Sequence, residues 1–115
     1  MSEIIWTQGD RPTLYMQLTK KENGKVYDVS ASTCIVTAKF RERGNTTESL
    51  WEATCTKNKP AFGMVWFTVP ADGLLAADVP SGRYEIELTV TSSGLPETVI
   101  DIIKVRVMAE FPAVA

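Results

Sequence analysis

The segment Arg83-Tyr84-Glu85-Ile86-Glu87-Leu88-Thr89-Val90 alternates without error. Tyr84, Ile86, Leu88 and Val90 fall on one side, and Arg83, Glu85, Glu87 and Thr89 on the other. Strict period-two alternation is what a strand with one buried and one wet face requires. It lies within a longer informative stretch, 63–107, where the apolar run Met64–Val69 and the connector Pro70–Val79 precede it. This stretch decides for a β fold while displaying no chemistry.

Working outward, Leu14, Met16 and Leu18 alternate with Tyr15, Gln17 and Thr19 to give a strand entered through Arg11-Pro12. Glu22-Asn23-Gly24-Lys25 follows, and Asn-Gly between strand-like runs is a strong hairpin signal, with Val26–Val29 as the return strand. Cys34, Val36, Ala38 and Phe40 share one face of the next strand, which turns at Arg43-Gly44-Asn45. Trp51, Ala53 and Cys55 form the apolar side of Leu50–Thr56, and Phe62–Val69 resumes after Lys57-Asn58-Lys59-Pro60. Residues 71–78 read as a short helical connector with Leu74 and Leu75 turned inward, stopped by Pro80. The last strand runs from about Thr98 to Met108, with Ile103, Val105 and Val107 inward. In the closing hairpin, a register that sets Glu87 opposite Lys104 and Glu85 opposite Arg106 gains from the opposite charges, while other registers also keep both apolar faces together.

About seven short strands at turn spacings, with almost no helix, describe an all-β, immunoglobulin-like antiparallel β-sandwich. The chain reads as one domain over 1–115, its core spanning about 4–108. Met1–Gln8 and Phe111–Ala115 read as loose ends or partner-contacting arms.

The 115 residues carry a net charge of −2, which leaves no electrostatic footprint for nucleic acid. No basic n-region or apolar h-region opens the chain, and no apolar run approaches the roughly 20 residues of a membrane span. The expectation is synthesis in the cytoplasm without membrane insertion. Cys34 and Cys55 fall on the apolar parity of their strands, so they read as small buried hydrophobes with reduced thiols rather than a disulfide.

Histidine is absent, which removes the commonest general base and metal ligand together. No cysteine spacing suits zinc, no Gly-rich loop joins a strand to a helix, and no oxygen-rich loop suits calcium. Asp72, Asp78 and Asp101 stand alone near turns or strand ends, where capping accounts for them. Neither an enzyme nor a cofactor is expected.

The aromatics carry more. Trp6, Tyr15, Tyr27 and Trp66 sit off the apolar parity of their strands or outside any strand. Trp66 is the sharpest case, because Val65, Phe67 and Val69 hold the inward face. These four are the candidate interface for a protein partner or a sugar ring. The alternative is that the N-terminal segment or the Pro70–Val79 connector covers Trp66, with Trp6 placed to do so.

The order of landmarks resembles the N-terminal domain of phage baseplate upper proteins and related small tail and virion proteins. The residues that carry the likeness are Gly9-Asp10, Asn23-Gly24-Lys25 and Asp28-Val29-Ser30-Ala31-Ser32 ahead of Cys34–Phe40. Gly63-Met64-Val65-Trp66-Phe67, the 71–78 connector and Gly82-Arg83-Tyr84-Glu85-Ile86 continue it. Ala31 stands where the family has glycine. Baseplate upper proteins continue into a helical and receptor-arm region, so the likeness implies a stand-alone module. It implies a non-enzymatic virion protein that docks on other virion subunits, in several copies, and ends in the particle. The rival expectation is a carbohydrate-binding or host-adhesion module; a small hydrolase would need a carboxylate pair that the sequence does not single out.

Overall fold

The alternating segment over 83–90 lies at the centre of the larger sheet. The computed structural model describes residues 3–20, 23–75, 78–93 and 98–109, with residues 98–100 as backbone only. Eight strands are present among them: β1 (Ile4–Thr7), β2 (Thr13–Gln17), β3 (Ile35–Glu42), β4 (Trp51–Thr54), β5 (Thr56–Lys57), β6 (Met64–Thr68), β7 (Gly82–Thr91) and β8 (Thr98–Met108). They form a five-stranded sheet, β1-β8-β7-β3-β4, and a three-stranded sheet, β2-β6-β5, packed as a sandwich.

Side-chain parity explains the packing. Val36, Ala38 and Phe40 on β3 face Val90, Leu88 and Ile86 on β7, and all six are buried. Val65 and Phe67 close the core from β6, joined by Leu18, Val29, Val69 and Leu74. An aromatic cluster centres on Phe40, whose ring stacks on Trp51 at 4.8 Å, Tyr84 at 4.9 Å and Trp6 at 6.3 Å. The Trp51 indole N–H donates to the Gly73 carbonyl at 2.9 Å. A Cβ on Gly73 would come within 2.7 Å of Val69 Cγ1, so a larger residue here would force the buried Val69 side chain to shift.

β8-β7-β3-β4 against β2-β6-β5 reproduces the G-F-C-C′ and B-E-D sets of an immunoglobulin sandwich. Near the start of β7 the Tyr84 hydroxyl donates to the Pro80 carbonyl at 2.6 Å, the tyrosine corner of such folds. Ile86 occupies the position where antibody domains carry their second cysteine. Cys34 and Cys55 are free and buried, and burial pushes the Cys55 thiol up to about 12.

Several expectations are corrected. Ile4–Thr7 is a strand rather than a loose arm, and it pairs with β8 in parallel, so the sandwich is not wholly antiparallel. The β7–β8 register places Glu85 opposite Lys104, Glu87 opposite Ile102 and Arg83 opposite Arg106, two residues from the expected pairing. A β-bulge lies between Leu88 and Thr89. The carboxylates of Glu85 and Glu87 turn instead to Arg41 on β3, at 3.0 and 3.3 Å. Arg106 and Arg43 are answered by Glu3, just before β1, at 3.4 and 2.6 Å.

The described part of the 71–78 connector forms turns; the helical turn lies at Pro60–Phe62 instead. Leu74 is buried there as expected, but Leu75 is exposed. The Asn23-Gly24 hairpin closes through Lys20 N–H to the Lys25 carbonyl at 2.7 Å, yet its return strand shrinks to a single Thr19–Val26 bridge. Residues 76–77 of the connector, 94–97 of the β7–β8 turn, and the proposed arm residues Met1, Ser2 and Phe111–Ala115 lie outside the described residues.

Candidate functional site

The smaller sheet has an inner and an outer face because β2 and β6 alternate in step. Leu14 pairs with Phe67 and Met16 with Val65 on the inner face. The outer face carries Thr13 opposite Thr68, Tyr15 opposite Trp66 and Gln17 opposite Met64. On its other side Trp66 is level with Thr56 of β5. Every residue in this set is uncharged.

Trp66 is half-buried and Tyr15 is 70% exposed. Their ring centroids are 6.1 Å apart at an interplanar angle of 40°. The Thr13 and Thr68 hydroxyls bond at 2.8 Å, which ties the strands at one end. At the other end the Gln17 amide donates to the Phe62 carbonyl at 3.2 Å. This holds the Pro60–Phe62 turn beside the sheet, with Phe62 59% exposed and Met64 38%. Gly63 makes that junction possible: its φ is 71°, and a Cβ there would meet the Leu18 and Tyr27 carbonyl oxygens at 2.7 Å.

The structure therefore brings Tyr15 and Trp66 together and leaves the other two candidates elsewhere. Trp6 lies on β1 opposite Val107, is 8% exposed, and stacks on Phe40 in the core. It is not available as an exposed anchor, and it does not cover Trp66. The alternation of β1 explains this, since Ile5 takes the outward position at 64% exposure. Tyr27 is half-buried beside the core, with the Lys20 ammonium 5.8 Å from its ring centroid. Met64 and Phe62 join Tyr15 and Trp66 here without being among the sequence candidates. The parity that Met64 shares with Trp66 marks it in the sequence; Phe62 lies in the Pro60–Phe62 turn rather than the expected strand, and the turn sets it outward.

Charge is gathered away from this face. Arg41 is clasped by Glu85 and Glu87 on the outer side of the larger sheet. The Arg43 hydrogen bond holds the Glu3 carboxyl below its ordinary range, with Arg106 and Arg83 adding attraction. Asp28 is likewise lowered by hydrogen bonds from Ser30, whose backbone N–H lies 2.8 Å away. Among the described residues no group of three or more Cys, Asp and Glu side chains is placed to hold a metal ion. What the outer face offers is apolar and aromatic contact flanked by hydroxyls and amides, the chemistry of association.

No family model and no curated protein matches this chain. Among solved structures it is similar to the N-terminal domain of phage TP901-1 ORF48, with a TM-score of 0.61 and 11% identity. The likeness covers 96% of this chain and 86% of that one. At that identity it is a likeness of fold.

Proposed function

We propose that this chain is a non-enzymatic structural component of a phage or prophage virion, of tail or baseplate type. It acts by docking the outer face of β2 and β6 onto other virion subunits. The observation that carries the reading is the pairing of Tyr15 with Trp66 on an uncharged face, in a fold similar to a phage protein domain over 96% of the chain. Aromatic residues and methionine are enriched at the cores of interfaces, where charged residues are depleted. Tyr15, Trp66 and Met64 fit that composition.

Carbohydrate binding is the second reading, supported by the exposure of Tyr15. The 40° tilt between the two rings gives no single flat platform for a sugar, which favours protein docking.

Quantitative mass spectrometry of purified particles tests the proposal. A fixed copy number per particle supports it. Absence from particles, with binding of the isolated chain to a glycan array that Trp66→Ala abolishes, would replace it with the carbohydrate reading.

A further inference from the structure

The larger sheet ends in β1 and β4, and the smaller in β2 and β5. Natural edges are shortened, charged or covered against pairing with another chain. β5 has two residues and ends in Lys57, and β4 has four and includes Glu52. β1 has four and starts beside the Glu3–Arg43–Arg106 ion cluster. β2 is the longest of these edges, with five residues, Thr13-Leu14-Tyr15-Met16-Gln17, none charged and none proline.

The bonds from Leu18 N–H to the Gly63 carbonyl, 2.8 Å, and from Val69 N–H to the Pro12 carbonyl, 2.9 Å, bracket the β2–β6 ladder. Alternation of antiparallel pairs then turns the backbone groups of Leu14 and Met16 toward β6. Those of Thr13, Tyr15 and Gln17 point to the open side. Beneath them Leu14 and Met16 remain only half-buried. A groove lined by Met16, Leu18, Leu88 and Ile103, with Gln17, Thr19 and the Asp101 carboxylate also on its wall, continues this strip between the two sheets. Among the described residues no backbone bond fills this open side of β2, which runs above an incompletely closed margin of the core.

We propose that β2 pairs antiparallel with β2 of a second copy of this chain, about a two-fold axis at Tyr15. Tyr15 lies opposite Tyr15 of the second copy, Thr13 opposite Gln17, and Leu14 opposite Met16. Every pair is uncharged, and the Leu–Met pairs close the half-buried strip. The same register carries Asp10 level with Lys20 of the second copy, so the charges at both ends are complementary. Pairing sets both Tyr15–Trp66 pairs on one continuous uncharged surface. This goes beyond the docking reading, and it is decided by self-association alone, whatever virion subunits bind.

The test uses the full chain in sedimentation equilibrium. The expected mass is twice the 12.7 kDa of one chain. Tyr15→Pro deletes an N–H only from the open side, a change edge strands tolerate. It should weaken the dimer about tenfold or more. As a second measure, Thr13→Cys is mixed with Gln17→Cys under mild oxidation; a register-matched pair lies at about 5.5 Å between Cα atoms, within disulfide reach. A cross-linked dimer in the mixture, and far less from either variant alone, is expected. A monomer at all concentrations with no cross-link overturns the proposal. So does a dimer that cross-links through Ile5→Cys on β1 instead, or one that persists in folded Tyr15→Pro.

Discussion

Tyr15 and Trp66 stand directly opposite each other across the β2–β6 ladder, with ring centroids 6.1 Å apart, on a face without a charged side chain. The pair is positioned by backbone register and by hydroxyl and amide bonds at either end of the strands. It packs against no layer of the sandwich core, which lies on the opposite side of the sheet.

The pair should contribute modestly to stability. A double-mutant cycle of Tyr15→Ala and Trp66→Ala in urea denaturation should give a coupling of about 0.5–1.5 kcal/mol. Partner binding, measured with the same variants, should fall far more than stability does.

Trp6 should behave in the opposite way. Its ring is buried against Phe40, so Trp6→Ala should cost about 3–5 kcal/mol. Hydrogen exchange should show the Ile4–Thr7 amides losing protection first, because the ring anchors β1 to the core.

Tyr84→Phe removes only the hydroxyl that donates to the Pro80 carbonyl. The expected loss is about 0.5–1.5 kcal/mol, read as a lower urea midpoint with an unchanged slope. A larger loss would mean that the corner organises more of the connector than this one bond.

Arg41 is buried between Glu85 and Glu87. Arg41→Met should destabilise by about 1–3 kcal/mol, because it leaves two carboxylates poorly answered. Adding Glu85→Gln and Glu87→Gln should recover part of that loss in thermal denaturation.

The Glu3 carboxyl is held below its ordinary value chiefly by the Arg43 hydrogen bond, so its contribution is present in full above the unfolded value of about 4.5. It is lost as pH falls through the lower folded value, when the carboxyl protonates. Urea midpoints measured across this acid range should fall less steeply for Glu3→Gln than for the parent chain.

How legible the sequence was depends on which physical rule each feature obeys. The β3 and β7 faces were readable because Val36, Ala38, Phe40, Ile86 and Leu88 keep strict alternation in half-buried strands. The β7–β8 register was not, since a two-residue slip preserves every inward and outward assignment. Charge could not break the tie, because Arg41 offers Glu85 and Glu87 a partner on the other side of β7. β1 was missed because Ile4-Ile5-Trp6 is apolar at every position and shows no period. Of the candidate site, the outward parity of Trp66 was visible from Val65, Phe67 and Val69. Its meeting with Tyr15 was not, because a partner some fifty positions away is set by topology.

The docking role is tested most directly by a photo-cross-linking side chain placed at Trp66 in the chain as assembled into particles. Cross-links from position 66 to another virion subunit, abolished when the particle is dissociated beforehand, are the expected result. Particles that contain the chain yet give no cross-link from position 66, while a probe at Ile5 on β1 does, would contradict it.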